Sequence, residues 1–428
     1  MKKSLIGALA VTSTLLSPMA ALAQTEVHFW HAFTGRLGEL VKGQVADFNA
    51  SQSDYAVVES HKGNYSETLN AGIAAFRAKE QPHILMVFEV GTATMMAAGG
   101  AIKPVYEVMA GSGAAFDPDA YIGAVKGYYT TTDGDMLSLP FNSSTPVLWV
   151  NRDAMSAAGV DPDTDMSTWE QVDDVLAKLK AGGEDCPLVT AWQSWIHLEN
   201  FSAYHNVPFA SKDNGFAGLD TELMLNGKAQ VAHLSKMAEW AKDGKFIYTG
   251  RRNEGGANFR SGECALFTES SAGYAGISSE AKFDFEVRPL PYWKAITNAP
   301  QNTIIGGASL WVMSGHGDAE YKGAAEFLSF LSTSDVQAAW HQNTGYLPIT
   351  AEAGDATRAS GFYDKNPGTD VAVIQMTANQ PTANSKACVL VHSIRSAGSS
   401  MRSLRPSGLV TSLHSRLWTV PKRVVMRC

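Results

Sequence analysis

The hydrophobic positions of the first hundred residues form short runs that alternate with longer stretches of helical spacing. Residues 26–30, 56–60 and 83–90 have the composition of strands, and the last is apolar almost throughout, as in a strand covered on both faces. Apolar side chains at helical spacing mark a helix after each of the first two strands: Leu37, Leu40, Val41, Val45 and Phe48 in one, and Leu69, Ile73 and Phe76 over residues 65–79 in the other. This β-α-β-α-β order predicts a parallel sheet with helices on both faces.

A second α/β unit follows in the middle of the chain. Strands are predicted over residues 146–152, 187–192, 265–268, 283–290 and 309–313, and helices over 169–180, 230–242 and 319–331. Ser167 and Glu170 stand three residues apart at the start of the first of these helices, which is the pattern of a capping box.

Two α/β units without a long linker predict an α/β protein of two lobes that share a cleft. We expect residues 24–137 and 285–333 in the first lobe, and residues 138–284 and 334–386 in the second. The chain would then cross between the lobes near Leu139 and Leu331.

The first 23 residues have the pattern of a cleavable secretory signal. Lys2 and Lys3 precede an apolar run over residues 5–16, and Ala21 and Ala23 supply the small residues that a signal peptidase reads. A membrane anchor is the alternative interpretation, but the apolar run is too short for one. We therefore expect a mature protein that begins near Gln24 and folds in the periplasm, where disulfides form.

Charge is distributed unevenly along the 428 residues. Seven of the 34 lysines and arginines lie within residues 387–428 and two precede Gln24, so the stretch between holds 25 basic residues against all 42 acidic ones, a formal charge of −17. This acidic balance excludes a general nucleic-acid binder, which needs a basic surface. Cys186 and Cys264 are the cysteines of that stretch, and the sequence is compatible with either a disulfide or two buried thiols.

Signatures of enzymes and of metal sites are missing from the sequence. It holds no G-x-S-x-G nucleophile turn, no phosphate-binding P-loop, no H-E-x-x-H zinc motif and no C-x-x-C pair. A glycan hydrolase would need two carboxylates facing one another across a cleft, and spacing alone places no such pair. We predict no catalytic residue, no cofactor and no metal ligand.

Polar, aromatic and glycine residues gather instead where the predicted strands end. In open α/β sheets, ligands bind beyond the carboxyl ends of the strands. Glycines let a ligand approach the backbone, hydroxyl groups donate to an anion, and indole faces pack on C–H surfaces. The residues at these ends are Trp30, His31, Glu89, Asn142, Ser143, Ser144, Trp192, Trp195, Ser270, Ser271, Gly306, Gly307 and Tyr346.

Eight longer segments carry a specific resemblance. They are Phe-Trp-His at 29–31, Lys-Gly-Asn-Tyr at 62–65, Ala-Gly-Ile-Ala-Ala-Phe-Arg at 71–77, Glu-Val-Gly-Thr-Ala-Thr-Met-Met at 89–96, Pro-Phe-Asn-Ser-Ser-Thr-Pro-Val-Leu at 140–148, Glu-Asn-Phe-Ser-Ala at 199–203, Ile-Ile-Gly-Gly-Ala-Ser-Leu-Trp-Val-Met at 304–313 and Thr-Gly-Tyr-Leu-Pro-Ile-Thr at 344–350. These segments resemble the periplasmic sn-glycerol-3-phosphate-binding proteins of Ugp-type ABC importers, and the resemblance covers residues 24–386. That group is similar to the maltose-binding protein (extracellular solute-binding protein family 1). The resemblance therefore implies a two-lobed, type II periplasmic binding protein fold with the ligand in the cleft between the lobes.

The resemblance also implies a set of binding residues by matched position. They are Tyr65, Glu89, Ser144, Trp192, Trp195, Ser270, Gly307 and Tyr346, with Ser271 as an alternative to Ser270. Glu89 would accept hydrogen bonds from the glycerol hydroxyl groups, and the two indoles would cover the carbon skeleton. The serines, the Gly307 amide and Tyr346 would donate to the phosphate.

The same resemblance implies the partners and the activity. The ligand would be sn-glycerol 3-phosphate, and the closed protein would deliver it unchanged to inner-membrane ABC permease subunits with their ATPase. The alternatives are a binder of another polyol, an oligosaccharide or a glycerophosphodiester, and a secreted glycan hydrolase.

Residues 387–428 depart from this family pattern. They contain no Asp or Glu and no sustained apolar period. Where the family has a Gly-Leu-Arg-Leu-Gly segment and a Gln-Ile-Arg triplet, the codons of residues 387–391 and 395–397 can encode both when they are read one nucleotide earlier. We therefore hypothesise a frameshift near Lys386, with a basic interaction tail as the alternative. In the restored frame, the family's phosphate-binding arginine would fall at the position of Ala397.

Restoring the reading frame after Lys386 is expected to strengthen ligand binding and reduce aggregation. Loss of a charge-assisted contact to a buried phosphate costs about 1.5–3 kcal/mol, which raises Kd by roughly 10- to 100-fold. Calorimetry with glycerol 3-phosphate on the 428-residue chain and on the frame-restored chain measures the difference. Equal affinities would contradict the hypothesis.

Overall fold

The computed structural model describes residues 24–114, 116–131, 133–215, 217, 221–386 and 388. The predicted signal at residues 1–23 lies outside the described residues, and so does the predicted aberrant tail with the exception of Cys388. Within the described ranges, none of the helices combines the length and the apolar character that crossing a membrane requires.

The strands of the described chain form two separate five-stranded sheets. In chain order they are β1 (Thr25–His31), β2 (Tyr55–His61), β3 (Ile84–Phe88), β4 (Leu139–Ser144), β5 (Pro146–Asn151), β6 (Leu188–Thr190), β7 (Phe246–Ile247), β8 (Leu266–Ser270), β9 (Phe285–Arg288) and β10 (Gly306–Val312). The first sheet has the order β2-β1-β3-β10-β4, and the second has the order β7-β6-β8-β5-β9. Each sheet is the centre of one lobe.

Each sheet mixes parallel and antiparallel neighbours. In the first sheet, β1 lies parallel to β2 and β3, whereas β10 runs antiparallel to β3 and β4. In the second sheet, β6 is parallel to β7 and β8, whereas β5 is antiparallel to β8 and β9. The predicted β-α-β-α-β unit is therefore confirmed as the parallel part of the first sheet, because a helix after each strand returns the chain to the same edge.

The helices for which both ends were predicted match the predicted bounds within two residues. In chain order they are α1 (Gly35–Ser51), α2 (Tyr65–Ala78), α3 (Thr92–Ala97), α4 (Val105–Ser112), α5 (Gly123–Lys126), α6 (Arg152–Ala157), α7 (Trp169–Ala181), α8 (Phe201–Tyr204), α9 (Ser211–Asn214, with left-handed dihedral angles), α10 (Lys228–Lys242), α11 (Gly255–Arg260), α12 (Tyr274–Glu280), α13 (Asp318–Leu331), α14 (Ser334–Thr344), α15 (Ala351–Ala359), α16 (Phe362–Lys365) and α17 (Val371–Thr377). A π-helical turn covers Trp195–Asn200, and 3-10 turns cover Glu89–Gly91, Pro118–Ala120 and Ser271–Gly273.

The capping box of α7 differs from the predicted one by one residue. The Thr168 hydroxyl accepts from the backbone amide of Gln171, and the Gln171 side chain accepts from the amide of Thr168. The predicted box of Ser167 and Glu170 is therefore wrong. Glu170 instead accepts hydrogen bonds from the backbone amides of residues 294–295, which hold the loop after β9 against this helix.

Two strands belong to the opposite sheet from the one expected. Residues 139–144, expected in the second lobe, form β4 and pair with β10 of the first sheet. Residues 285–288, expected in the first lobe, form β9 and pair with β5 of the second sheet. The chain thus changes sheets at Thr145 and again between β9 and β10. The apolar pattern did not predict β4, because the polar triplet at 142–144 lacks the apolar residues that are usual in a buried strand.

The core of the first lobe packs the sheet against α1, α4 and α13. The fully buried ring of Phe29 on β1 lies 6.3 Å from that of Phe141 on β4 and 5.9 Å from that of Phe327 on α13. All five residues of β3 are apolar and the first four are fully buried, so this strand is covered on both faces, as the continuous apolar run predicted. This packing fixes the position at which β3 ends.

The core of the second lobe contains a chain of neutral histidines beneath β6 and β8. Trp293 Nε1 donates to His233 Nδ1 at 2.9 Å, His233 Nε2 lies 3.0 Å from His197 Nδ1, and His197 Nε2 lies 3.2 Å from Thr268 Oγ1. An indole N–H only donates, so the order of donors runs from Trp293 through both histidines to the hydroxyl groups of Thr190, which lies 2.9 Å from His197 Nε2, and Thr268. Burial lowers the pKa of His197 to about 3 and that of His233 well below its usual range, so both rings stay neutral. The chain anchors the end of β8.

Cys186 and Cys264 form a disulfide, which decides between the two alternatives that the sequence left open. Their Cα atoms lie 4.6 Å apart. The bond stands just before β6 and β8, which are parallel neighbours in the second sheet. It therefore joins the beginnings of the two strands whose ends face the cleft.

Removing this disulfide is expected to lower the free energy of unfolding by about 4 kcal/mol, because the bond closes a 78-residue loop in the unfolded chain. Chemical denaturation of the wild-type protein and of the Cys186→Ser/Cys264→Ser variant measures the loss. Reductant should destabilise the wild-type protein and leave the double variant unchanged. A wild-type protein that is equally stable with and without reductant would show that the bond is not formed.

Candidate functional site

The predicted site residues stand at strand ends of both lobes. In the first lobe, Tyr65 begins α2 directly after β2, and Glu89 follows β3. In the second lobe, Trp192 follows β6 and Ser270 ends β8. Contacts among these residues and their neighbours, described below, place the site at the cleft between the two sheets.

Glu89 and Gly307 are joined by a hydrogen bond between neighbouring strand ends. Gly307 lies on β10, which is paired with β3, and its N–H donates to Glu89 Oε2 at 3.0 Å. Burial raises the pKa of Glu89 to about 7, against the opposite effect of the hydrogen bonds from its own amide and from Gly307. In this structure the predicted phosphate donor is therefore bound to the predicted hydroxyl acceptor.

Gly307 occupies a position that excludes any larger residue. Its φ angle of 122° lies in the region that favours glycine. A Cβ atom there would stand 1.9 Å from the backbone oxygen of Asn142 on β4. The close approach of β10 to β4 at this point thus depends on the missing side chain.

Two tyrosine hydroxyl groups and one amide form a neutral cluster. Asn142 Nδ2 donates to Tyr65 Oη at 3.2 Å, and the side chains of Tyr65 and Tyr346 share a hydrogen bond. Burial raises the pKa of Tyr65 to about 12 and holds that of Tyr346 well above its usual value, so both hydroxyl groups keep their protons. Tyr65 stacks on Phe88 with ring centroids 5.5 Å apart, and Tyr346 stacks on Trp340 at 5.9 Å. These stacks fix where the two hydroxyl groups lie.

Trp192 and Trp195 are half-buried on the second-lobe side. Trp192 has a left-handed φ of 42°, and its N–H donates to the Arg252 carbonyl at 2.8 Å, which turns the chain out of β6. Trp195 Nε1 donates to the carbonyl of Ile305 at 3.3 Å. A Cβ at Gly306 would come within 2.5 Å of the Trp195 ring, so this indole lies directly on the backbone that enters β10.

The serines at the ends of β4 and β8 differ in whether their hydroxyl groups already have a hydrogen-bond partner. Ser144 is buried opposite β10. The hydroxyl groups of Ser143 and Ser271 are buried and have no partner among the described residues. Ser270 Oγ accepts from the amide two residues on, at 3.1 Å, and keeps its proton free to donate. Either Ser270 or Ser271 can therefore offer a donor, and both predicted alternatives stay open.

Three polar residues of the site were not in the predicted set. Asn142 links Tyr65 to the first sheet, as described above. Glu199 lies in the π-helical turn, where burial and the charge of Glu89 raise its pKa to about 8. Glu269 is 1% exposed on β8, and burial raises its pKa to about 8 as well.

The sequence carried a signal for only some of these residues. Asn142 stood among the polar strand ends. Glu269 directly follows the predicted strand at residues 265–268, and an acid beside a buried strand is unusual. Glu199 begins one of the segments that carry the resemblance, but neither a strand end nor apolar spacing marks it, because a π-helical turn leaves no such pattern.

Cys388 reaches the same cleft. Its backbone amide hydrogen-bonds to Glu199, and its carbonyl accepts from Tyr128 Oη at 3.1 Å. Tyr128 Oη also lies 3.0 Å from the carbonyl oxygen of Glu89. Because Glu199 belongs to the second lobe and Tyr128 precedes β4 in the first, Cys388 lies between the lobes at the site.

One cluster outside the cleft has the composition of a metal site. His83, His316 and Glu320 each present a ligand atom, and these atoms lie within 4.8 Å of one another. The backbone N–H of His28 donates to His83 Nδ1 at 2.8 Å, so the ring proton of neutral His83 is on Nε2, which faces Glu320 Oε1 at 3.3 Å. A protonated nitrogen is no ligand, and the arrangement fits a histidine–carboxylate contact instead.

The cleft as a whole combines neutral donors with carboxyl groups. Tyrosine and serine hydroxyl groups can donate to an anion, and the half-buried indoles can cover apolar atoms. Three carboxyl groups with raised pKa values can accept or donate near neutral pH: those of Glu89, Glu199 and Glu269. This set suits a small ligand with both hydroxyl groups and an anionic group.

Known proteins similar to this chain bind solutes. The family described as bacterial extracellular solute-binding protein matches residues 43–370. The sn-glycerol-3-phosphate-binding periplasmic protein UgpB of Yersinia enterocolitica is 48% identical over 379 residues, 88% of this chain and 86% of that protein. UgpB of Escherichia coli is 50% identical over 362 residues, 84% of this chain and 82% of that protein.

Solved structures share the architecture. The crystal structure of UgpB from Mycobacterium tuberculosis in complex with glycerophosphocholine superimposes with a TM-score of 0.74 at 20% identity, covering 92% of this chain and 98% of that one. Maltose-bound T. maritima MalE3 superimposes with a TM-score of 0.68 at 15% identity, covering 92% and 99%. The predicted two-lobed, maltose-binding-protein-like fold is confirmed.

Gly307→Ala is expected to destabilise the protein by about 3 kcal/mol, because the new Cβ meets backbone and the φ angle is unfavourable for alanine. Thermal denaturation measures the effect. Gly354→Ala is the matched control, since it lies within α15 with 3.6 Å to its nearest neighbour and should be neutral or slightly stabilising. Equal melting temperatures for the two variants would show that β10 does not approach β4 as described.

Proposed function

This chain belongs to the family of bacterial extracellular solute-binding proteins, and we propose that it captures sn-glycerol 3-phosphate in the cleft between its lobes. The protein is periplasmic and serves as the binding component of an ABC importer for this ligand. The observation that carries the proposal is the identity of 48–50% over most of the chain to proteins named for binding sn-glycerol 3-phosphate.

The site supports the proposal through its neutral donors. A formal charge of −17 on residues 24–386 repels an anion at long range, so attraction has to come from dipoles at short range. Tyr346, Ser144 and Ser270 offer hydroxyl groups for the phosphate, and the Gly307 amide joins them when Glu89 releases or shares it. Preorganised donors of this kind act strongly in a cleft from which water is excluded.

The glycerol part of the ligand has a complementary surface. Glu89 accepts hydrogen bonds from hydroxyl groups while it is ionised, and Tyr65 stands beside it with a protonated hydroxyl group. The indoles of Trp192 and Trp195 cover the carbon chain from the second lobe. The phosphate of the ligand is thus matched by hydroxyl donors of the protein, and the hydroxyl groups of the ligand are matched by the Glu89 carboxylate as acceptor.

Binding and release, rather than chemistry, complete the proposed cycle. The relatives are solute-binding proteins, and the ligand is expected to leave unchanged. Ligand binding shifts the population toward a closed state of the two lobes, which is recognised by inner-membrane permease subunits coupled to their ATPase. A binding test separates the competing ligands, which are another polyol, an oligosaccharide and a glycerophosphodiester. Recovery of an intact ligand separates this binding function from that of a secreted glycan hydrolase.

Tyr346→Phe is expected to raise the Kd for glycerol 3-phosphate about tenfold, because it removes one hydrogen bond of about 1.4 kcal/mol and keeps the stacked ring. Calorimetry measures the change. Tyr121→Phe is the control: its hydroxyl bonds Ser332 at 2.7 Å within the first lobe, so the substitution should lower stability and leave Kd unchanged.

The identity of the ligand is tested by thermal denaturation of the wild-type protein with each candidate ligand. Glycerol 3-phosphate should raise the melting temperature at millimolar concentration, whereas glycerol and maltose should not. The ligand recovered after denaturation should be chemically intact. Protection by an unphosphorylated sugar alone, or accumulation of a hydrolysis product, would contradict the proposal.

A further inference from the structure

Glu269 is a carboxyl group in the site to which the proposed function gives no role. It lies on β8 next to Ser270 and is 1% exposed. Oε1 accepts from the backbone N–H of Ser270 at 2.7 Å, and the Trp192 side chain hydrogen-bonds to the same carboxyl group. Oε2 is buried and has no hydrogen-bond partner within the described ranges. A buried polar atom in this condition is a place where a ligand group can bind.

The surroundings of Glu269 favour its neutral form. Arg260 on α11 is the basic residue whose charge acts on it, but the Arg260 guanidinium is 2.8 Å from Glu280 Oε2 and is committed to that ion pair. The charge of an ionised Glu269 adds to the effect of burial in raising the pKa of Tyr346, so that hydroxyl group keeps its proton. Burial outweighs these contacts and raises the pKa of Glu269 to about 8, so the group holds a proton at neutral pH and can donate a hydrogen bond.

An anionic ligand gives that proton a function. A phosphate beside an ionised Glu269 would meet a like charge in a desolvated cleft, whereas a carboxylic acid donates to it. The other carboxyl groups of the cleft are Glu89 and Glu199, and the charge of Glu89 acts on Glu199 while both act on Tyr128. Glu89 and Glu199 also titrate near neutral pH. The effect of Glu269 is therefore measured as the difference between the wild-type protein and a variant in which one carboxyl group is replaced.

We propose that Glu269 binds the phosphate of the ligand as a neutral carboxylic acid, through the oxygen that has no protein partner. The inference rests on the proposed function, because it requires an anionic phosphate ester in this cleft. It makes capture depend on one proton of the protein: affinity is highest while Glu269 is protonated and falls as rising pH removes the proton. Selectivity for a phosphorylated over a neutral polyol falls in parallel.

The test is the pH dependence of glycerol 3-phosphate binding, measured by calorimetry at pH values of about 7, 8 and 9. Over this range the phosphate, with a second pKa of about 6, stays dianionic. With a pKa of about 8 for Glu269, the wild-type Kd is expected to rise about tenfold or more from the first to the last of these pH values. In Glu269→Gln the amide donates at every pH, so this ratio is expected to be about tenfold smaller.

Glu80→Gln is the matched control, because it removes an exposed carboxyl group beyond the far end of α2 and should keep the wild-type ratio. A wild-type ratio in Glu269→Gln overturns the inference and leaves the proposed function standing. No binding by the wild-type protein at any pH overturns both.

A second measurement covers a Glu269→Gln variant that fails to fold, as judged by circular dichroism. Titrations of a Glu199→Gln variant near pH 8 in two buffers of different ionisation enthalpy count the protons taken up with the ligand, in a protein that lacks the other carboxyl group with a pKa of about 8. Uptake of about half a proton or more is expected for a group that titrates near this pH. Zero uptake overturns the inference.

Discussion

Thr145 is the single residue between the two sheets on the first crossing, and its hydrogen bonds tie the site together. It is fully buried, its Oγ1 donates to the carbonyl of Ile304 at 3.2 Å, and its own carbonyl accepts from the Ser271 amide at 2.9 Å. One residue thus links the first crossing, the second crossing and the end of β8. Ser144 directly precedes Thr145, Ser270 directly precedes Ser271, and Gly307 follows Ile304 by three residues. The position of the site is therefore a consequence of where the chain changes sheets.

Gln375 on α17 reinforces the same crossing from the C-terminal side. Its side-chain amide donates to the carbonyl of Pro146, its side-chain oxygen accepts from the Leu290 amide at 3.0 Å, and its backbone carbonyl accepts from Thr303. The entry to β5 and both ends of the loop between β9 and β10 are held by this one residue. Crossing segments of two-lobed proteins absorb the rotation of closure, so buried hydrogen bonds here restrict that rotation to a defined path.

Electrostatics sets the second constraint on the site. An acidic protein with three carboxyl groups in its cleft can hold an anion only if those groups are protonated, turned toward donors or balanced by a cation. Glu89 is bonded to the Gly307 amide, and burial raises the pKa of all three acids toward or above neutrality. Cys388 lies in the cleft beside Glu199, so a cation placed there would reduce the same repulsion. The hypothesised loss of an arginine downstream of Lys386 bears directly on this balance.

Much of the fold could be predicted from the sequence, and the exceptions have physical causes. Apolar periodicity gave the long helices and β1 to β3, because these elements bury one face or both. It missed β4, whose second half at residues 142–144 is polar although the whole strand is buried where it pairs with β10. It also placed β9 in the wrong lobe, because pairing between distant strands leaves no local pattern.

The candidate site came from resemblance and from strand ends rather than from periodicity. Strand ends and the resemblance both indicated Glu89 and Gly307, whereas the resemblance alone indicated Tyr65. The Glu89–Gly307 hydrogen bond joins residues 218 positions apart, and no local pattern indicates it. Glu199 and Glu269 were not in the predicted set of binding residues, because an acid has a raised pKa through its burial and not through its residue type.

The central claim is that a phosphorylated polyol lies between the lobes, on the tyrosine and serine donors beside Thr145. A crystal structure of the protein with glycerol 3-phosphate tests it most directly. The account predicts phosphate oxygens within hydrogen-bond distance of Tyr346 and of Ser270 or Ser271, and hydroxyl groups at Glu89. A ligand bound outside this cleft, or bound with its phosphate in solvent, would contradict the account.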